Sequence, residues 1–161
     1  METHEYLFIL AEISTVLVGF AAIIMAISPV AERTYISDYT FKGVIERGLA
    51  TAMFSLLPPL LVTTTLFSGY EYQFSGGVLL VYYGLAASRS MRWWKSLPSS
   101  DKPISDFTFY YRLGASILVM VAMLANFWLA LHWIYLIGVS WLFVNTALLI
   151  LTYVNRMPGD A

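Results

Sequence analysis

The 161-residue chain is 59% hydrophobic and 12% charged, with a mean hydropathy of +0.71. One water-soluble domain of this size could not bury so much apolar surface, and a formal net charge of −1 lacks the basic excess that nucleic-acid binding requires. The absence of cysteine excludes disulfides, thiolate metal sites and iron–sulfur clusters. These properties predict one all-α membrane domain over residues 1–161.

Five long apolar windows recur along the chain. A membrane-spanning helix needs about 20 mostly apolar residues, because each residue advances about 1.5 Å through a hydrocarbon core of about 30 Å. The windows that satisfy this requirement are 6–27, 44–68, 72–94, 107–128 and 133–155. The third is the weakest, since Arg89 must extend along its own stem to reach water. The sequence therefore predicts a polytopic helical bundle with about five spans.

The basic residues predict the orientation of this bundle. All nine flank the first connection, the third connection or the end of the last span: Arg33, Lys42, Arg47, Arg89, Arg92, Lys95, Lys102, Arg112 and Arg156. Lys and Arg in short loops are retained on the cytoplasmic side of a membrane. We therefore expect the N-terminus outside the cytoplasm and the C-terminus inside it.

A short repeat precedes the second and fourth helices. Residues 36–41 read Ile-Ser-Asp-Tyr-Thr-Phe and residues 104–109 read Ile-Ser-Asp-Phe-Thr-Phe, and the similarity resumes over 47–51 and 112–116. The simpler interpretation is a recurrent helix start, with Ser and Asp as caps and aromatic residues as interface anchors. The alternative is that helices 2 and 3 form a parallel copy of helices 4 and 5. It predicts two pairs of equivalent residues, Asp38 with Asp106 and Arg47 with Arg112.

The first helix carries an acidic residue, Glu12, about 9 Å inside the outer end of its span. Small and polar residues share or adjoin its heptad row: Glu5, Thr15, Gly19, Ala22 and Ala26. A carboxyl group at this depth must be protonated, paired or hydrated, and small residues let helices approach closely in lipid. The row predicts either a packed helix interface or an ion or transport pathway, with Glu12, Thr15 and Gly19 as candidate residues.

Two further polar features are expected near the middle of the membrane. Pro58 and Pro59 remove two backbone donors from helix 2, so a kink is expected there and the carbonyls of Phe54 and Ser55 lose their usual partners. Freed carbonyls of this kind either pack against neighbours or bind water or a cation. Asn145 in helix 5 favours an interhelical hydrogen bond, with a role in the pathway as the alternative.

A cluster of cations and indoles ends the third span. It consists of Arg89, Arg92, Trp93, Trp94 and Lys95. This combination is typical of contact with anionic lipid headgroups at the cytoplasmic interface. The two histidines, His4 and His132, have no metal-ligand spacing and lie outside the spans, so we expect no metal and no cofactor.

The first 65 residues resemble a class of small uncharacterised bacterial multi-pass inner-membrane proteins. The resemblance is carried by residues 10–13 (Leu-Ala-Glu-Ile), residues 18–20 (Val-Gly-Phe), Asp38, Arg47 and residues 54–58 (Phe-Ser-Leu-Leu-Pro). It implies a location in the bacterial inner membrane and no particular activity.

Three classes of function are compatible with these features. The first is a small oligomer that forms an ion-conducting or transport pathway with an intramembrane acid. The second is a scaffold or accessory subunit of a membrane complex, in which the same row docks on a partner helix. An enzyme acting on a lipid-soluble substrate has the least support, because no nucleophile and base pair is found. The expected partners are anionic membrane lipids and either further copies of the chain or partner helices.

Overall fold

The computed structural model of the chain describes residues 3–27, 35–64, 69–99, 102 and 104–154, apart from the side chains of residues 35–37 and 153. Arg33, Arg156 and the predicted end of the last span at Asn155 lie outside this described part. The side chains of Ile36 and Ser37, in the first copy of the repeat, lie outside it as well.

The described residues fold into five α-helices: α1 (Thr3–Ile27), α2 (Tyr35–Val62), α3 (Glu71–Ser96), α4 (Asp106–Leu129) and α5 (His132–Val154). The all-helical fold class is therefore confirmed. Among the described residues, four helices are long and apolar enough to cross a membrane, namely α1, α2, α4 and α5. The 26-residue α3 is long enough, but its last two turns carry Arg89, Arg92 and Lys95, which lower its apolar content.

Helix α2 differs from the window predicted over 44–68. It begins at Tyr35 and ends at Val62, and it continues through Pro58 and Pro59 without interruption. Thr63 and Thr64 close its end, because their hydroxyls donate to the carbonyls of Leu60 and Leu61 at 2.6 and 2.8 Å. Hydroxyl side chains that bond nearby backbone carbonyls compete with the helical pattern. The helix therefore ends at Val62, although the apolar window of the sequence continues to residue 68.

The chain divides into two compact units, residues 1–56 with 142–161 and residues 57–141. In the first unit, α1 packs against α2 at Gly48, where an added Cβ atom would overlap Cγ2 of Val18 and lie 3.5 Å from Cγ2 of Thr146. Glycine is needed here because any side chain would separate the helices. The largest side chains of this core that are almost completely buried are Leu7 and Val44.

The second unit contains the end of α2, then α3, α4 and α5 as far as Trp141. Its core is built around Leu79, Met123 and Tyr135, each no more than 2% exposed. The Tyr83 hydroxyl donates to the Gly138 carbonyl at 2.8 Å, which joins α3 to α5 through a buried hydrogen bond. The Trp141 indole N–H donates to the Ser116 hydroxyl at 3.0 Å and joins α5 to α4.

A two-residue turn connects α4 to α5 in this second unit. Ala130 adopts the left-handed conformation (φ 52°, ψ 36°), and its N–H donates to the Asn126 carbonyl at 2.9 Å. The side-chain oxygen of Asn126 then accepts the Leu131 N–H at 2.7 Å. The buried side chain of Asn126 therefore closes the turn by accepting the N–H of Leu131, a donor that lies just before the first residue of α5.

Candidate functional site

The row of residues around Glu12 lies on the outside of the described chain. We define the Glu12 face as Glu5, Glu12, Thr15, Gly19, Ala22 and Ala26, and all six are exposed. The buried side of α1 instead carries Leu7, Leu10, Ala11, Ser14 and Ala21. Because successive helical residues turn by about 100°, Glu12 and Ser14 lie on opposite sides of the helix. Glu12 therefore lies on the exposed side of α1 in the described part of the chain.

The neighbours of Glu12 on this face make only local contacts. The Thr15 hydroxyl donates to the Ala11 carbonyl at 2.9 Å. An added Cβ atom on Gly19 would meet nothing within 4 Å in the described chain. The close helix approach expected at Gly19 is thus not made by any residue that the structure describes. It is made instead on the opposite side of α1, where Ser14 and Val18 adjoin Gly48.

A buried polar seam runs through the first unit. We define this seam as Ser14, Thr51, Ser55, Asn145 and Thr146, which are all buried. The Thr51 and Thr146 hydroxyls donate to the carbonyls of Arg47 and Leu142, at 2.8 and 3.0 Å. Within the described residues, the buried hydroxyls of Ser14 and Ser55 have no hydrogen-bond partner.

Sequence reasoning identified Asn145 but missed the other four residues of the seam. Thr51 and Ser55 are four residues apart, and Pro58 follows three residues later. This spacing indicates that the three residues share one face of α2, and it could have identified them from the sequence. Pro58, which follows these residues in α2, is fully buried, and Pro59 is half-buried. The carbonyls of Phe54 and Ser55, which prolines cannot satisfy, therefore belong to a packed part of α2.

The two copies of the repeat agree in one detail and differ in two. The Ser116 hydroxyl donates to the Arg112 carbonyl at 2.9 Å, which matches the bond from Thr51 to Arg47. Ser105 precedes α4 and accepts the Thr108 N–H at 3.2 Å, so it is the expected cap. In the first copy, the counterpart of Ser105 is position 37, which lies inside α2 because that helix begins at Tyr35.

The carboxylates of the two copies also have different surroundings. Asp106 forms a hydrogen-bonded ion pair with Lys102 at 2.6 Å. It also accepts a hydrogen bond from the Trp94 indole N–H at 3.1 Å. One carboxylate oxygen of Asp38 is buried and has no hydrogen-bond partner among the described residues. The proposed equivalence of Asp38 and Asp106 stays a prediction.

The cluster at the end of α3 separates into exposed cations and a buried indole. Arg89, Arg92 and Lys95 are exposed, whereas Trp94 is only 2% exposed. The Trp94 ring stacks on Phe109 with 4.1 Å between centroids and 5° between planes. Lys102 lies 5.1 Å from the centroid of the same ring. Trp94 therefore packs within the protein, and its predicted contact with lipid headgroups stays a prediction.

We refer to Trp94, Lys102, Asp106 and Phe109 as the Trp94 clamp. It joins the last turn of α3 to the first turn of α4 through one indole hydrogen bond, one ion pair and one stacked ring pair. The clamp leaves the exposed cations of α3 on a fixed helix end. These contacts fix the position of this end of α3 relative to the start of α4.

The described residues contain no group of three or more His, Asp or Glu side chains that could hold a metal ion. Comparison of the chain with protein-family models, curated proteins and solved structures finds no match. The features that bear on function are therefore the exposed acid of α1, the buried polar seam and the exposed cations of α3.

Proposed function

We propose that this chain is a multi-pass protein of the bacterial inner membrane that acts as an oligomer, with the Glu12 face lining an ion-conducting or transport pathway between subunits. The membrane location is supported by the four long apolar helices. The proposed topology has five spans, with the N-terminus outside the cytoplasm and the C-terminus inside, as the basic residues favour. In this topology α3 also crosses the membrane, in addition to the four apolar helices.

The observation that carries the proposal is the exposure of Glu12. Helix α1 has a mean hydropathy of 2.4 over its most apolar window, the highest of the four apolar helices. An ionised side chain at the centre of such a helix costs about 2.5–3.5 kcal/mol in lipid, and less toward the interface. Because the described residues leave Glu12 exposed, this cost is best offset by a hydrated interface between subunits.

The small residues of the Glu12 face support an interface between helices. Gly19 and Ala26 would allow two helix backbones to approach closely, and the Glu12 carboxyl could then be shared with a second helix or with water. The same exposed face also supports a second candidate function. In that case it docks on the helix of a different membrane protein, and the chain is a scaffold or accessory subunit.

The test is to purify the full chain with native lipids, determine its oligomeric mass and measure ion flux after reconstitution into vesicles. Glu12→Gln keeps the size and hydrogen bonding of the side chain but removes its titratable group. We expect Glu12→Gln to lose most of the wild-type flux, because the variant removes the carboxyl group that the proposed pathway requires. Glu46→Gln, at an exposed acid of α2, is the matched control and should behave as wild type.

Two results would contradict a pathway. A monomer in native lipids leaves no subunit interface for the Glu12 face to line. Flux that is identical in wild type and Glu12→Gln makes Glu12 a packing residue. A chain without flux that binds a different membrane protein through the Glu12 face would support the scaffold instead.

A further inference from the structure

The exposed side of α3 changes in character along its length. Its earlier turns present large apolar side chains, which are 42–62% exposed: Phe74, Val78, Val81 and Leu85. The same side then presents Arg89 and Arg92, with Lys95 beside them, and these three cations are exposed too. Positions 74, 78, 81, 85, 89 and 92 follow one another at intervals of three or four, so they form one continuous helix face. We call these seven residues the α3 stripe.

We propose that the α3 stripe binds an anionic phospholipid. The headgroup phosphate contacts Arg89, Arg92 and Lys95, and an acyl chain lies along Val78, Val81 and Leu85. This inference rests on the proposed location in the membrane. The rise from residue 78 to residue 89 is about 17 Å, close to half of the roughly 30 Å hydrocarbon core. The apolar part of the stripe therefore has the length of one leaflet.

The charges at this end of α3 favour a phosphate group. Asp106 is the acid that the structure places beside Trp94, and it already accepts hydrogen bonds from Trp94 and Lys102. It is therefore occupied within the Trp94 clamp. Guanidinium groups present a planar fork of donors that matches phosphate oxygens, so Arg89 and Arg92 suit a phosphodiester well.

The apolar part of the stripe favours a lipid over a soluble anion. A free phosphate would use only the cations and would gain nothing from Val81, which is 62% exposed, or Leu85, which is 59% exposed. A phospholipid uses both parts of the stripe at once. Near an anionic membrane surface, each Lys or Arg contributes a factor of about five in affinity, which favours an anionic lipid over a zwitterionic one.

The test uses the full chain in lipid nanodiscs that contain equal amounts of phosphatidylglycerol and phosphatidylcholine, with retained lipids counted by native mass spectrometry. We expect the wild type to retain phosphatidylglycerol preferentially. The triple variant R89Q/R92Q/K95Q should lower this preference roughly ten- to hundredfold, and K95Q alone about fivefold. K42Q removes one exposed cation from α2 and should leave the preference unchanged.

Additional arms separate a lipid site from its alternatives. R89K/R92K keeps both charges and should retain most of the preference, and circular dichroism of the triple variant should show wild-type helicity. V81A/L85A shortens the apolar contact and should weaken phosphatidylglycerol retention. Millimolar inorganic phosphate should not displace the lipid, since displacement would identify a site for free anions.

The inference is overturned if the triple variant keeps the wild-type preference or if K42Q lowers it as much as the triple variant does. Alkaline extraction of cell membranes tests the proposed location separately. A chain released by alkali would refute the membrane location itself. A chain that stays in the membrane but shows no preference for phosphatidylglycerol would refute only the lipid site.

Discussion

At Gly48, α2 packs tightly against α1 in the first unit. Cγ2 of Val18 occupies the space that a Cβ atom of residue 48 would need, and the carbonyl oxygen of Ser14 lies 3.7 Å from the same point. Valine is β-branched and stiff at χ1, so its methyl group cannot easily move aside. Gly19, on the opposite side of α1, has open space around the equivalent position.

We expect Gly48→Ala to destabilise the protein by about 1–3 kcal/mol, because the added methyl group overpacks a close helix contact. Gly19→Ala is the matched control. It should be neutral or stabilise the isolated chain by about 0.5–1 kcal/mol, since alanine favours the helix and meets no neighbour. Unfolding by SDS in mixed micelles measures both changes. Equal destabilisation by the two variants would contradict the packing described for α1.

The sequence identified the small and polar residues of α1, but it could not predict which side of α1 packs against the neighbouring helix. Both sides carry small or polar residues, with Ser14 on one and Gly19 on the other. In a water-soluble protein, hydrophobic periodicity would identify the buried side. In a membrane helix the lipid-facing side is also apolar, so this signal is weak. The packing side became visible only through the position of Gly48 on a different helix.

At the level of helices, the Trp94 clamp links α3 to α4. Trp94 buries its ring against Phe109 and donates to Asp106, which also binds Lys102. The sequence placed Trp94 at a membrane interface because tryptophan is common there. Its burial depends on the tertiary position of Phe109 on α4, which local sequence cannot specify.

We expect Trp94→Ala to destabilise the protein by about 3–5 kcal/mol, because it removes a buried ring together with its hydrogen bond. Trp128→Ala removes the same side chain at a position that is 81% exposed, and it should change stability by no more than about 0.5 kcal/mol. Thermal unfolding in detergent, followed by circular dichroism, compares the two. A smaller loss for Trp94→Ala than for Trp128→Ala would show that the clamp does not stabilise the fold.

Across the whole molecule, the number of helices was predictable because each one is a long apolar run between polar connections. The five windows correspond to the five helices of the described residues, and α2 begins nine residues earlier and ends six residues earlier than its window from 44 to 68. These shifts arise where hydrogen bonds decide the boundary, as Thr63 and Thr64 do at the end of α2. Composition alone does not report such bonds.

The proposed topology predicts opposite locations for the two ends of the chain. A fluorescent reporter that matures only in the cytoplasm should be dark when fused before Met1 and bright when fused after Ala161. The reason is that all nine basic residues flank connections on one side of a five-span order. Equal signals at both ends would indicate an even number of spans, with α3 as the helix that does not cross.

The two-residue turn closed by Asn126 has a consequence for how the protein is made. Ala130 and Leu131 can reach only about 7 Å when extended, far less than the roughly 30 Å hydrocarbon core. In the proposed topology, helix α4 could therefore not complete its insertion while α5 is still distant from the bilayer. We therefore expect the two helices to enter the bilayer as a hairpin in this topology, with the Asn126 turn leading.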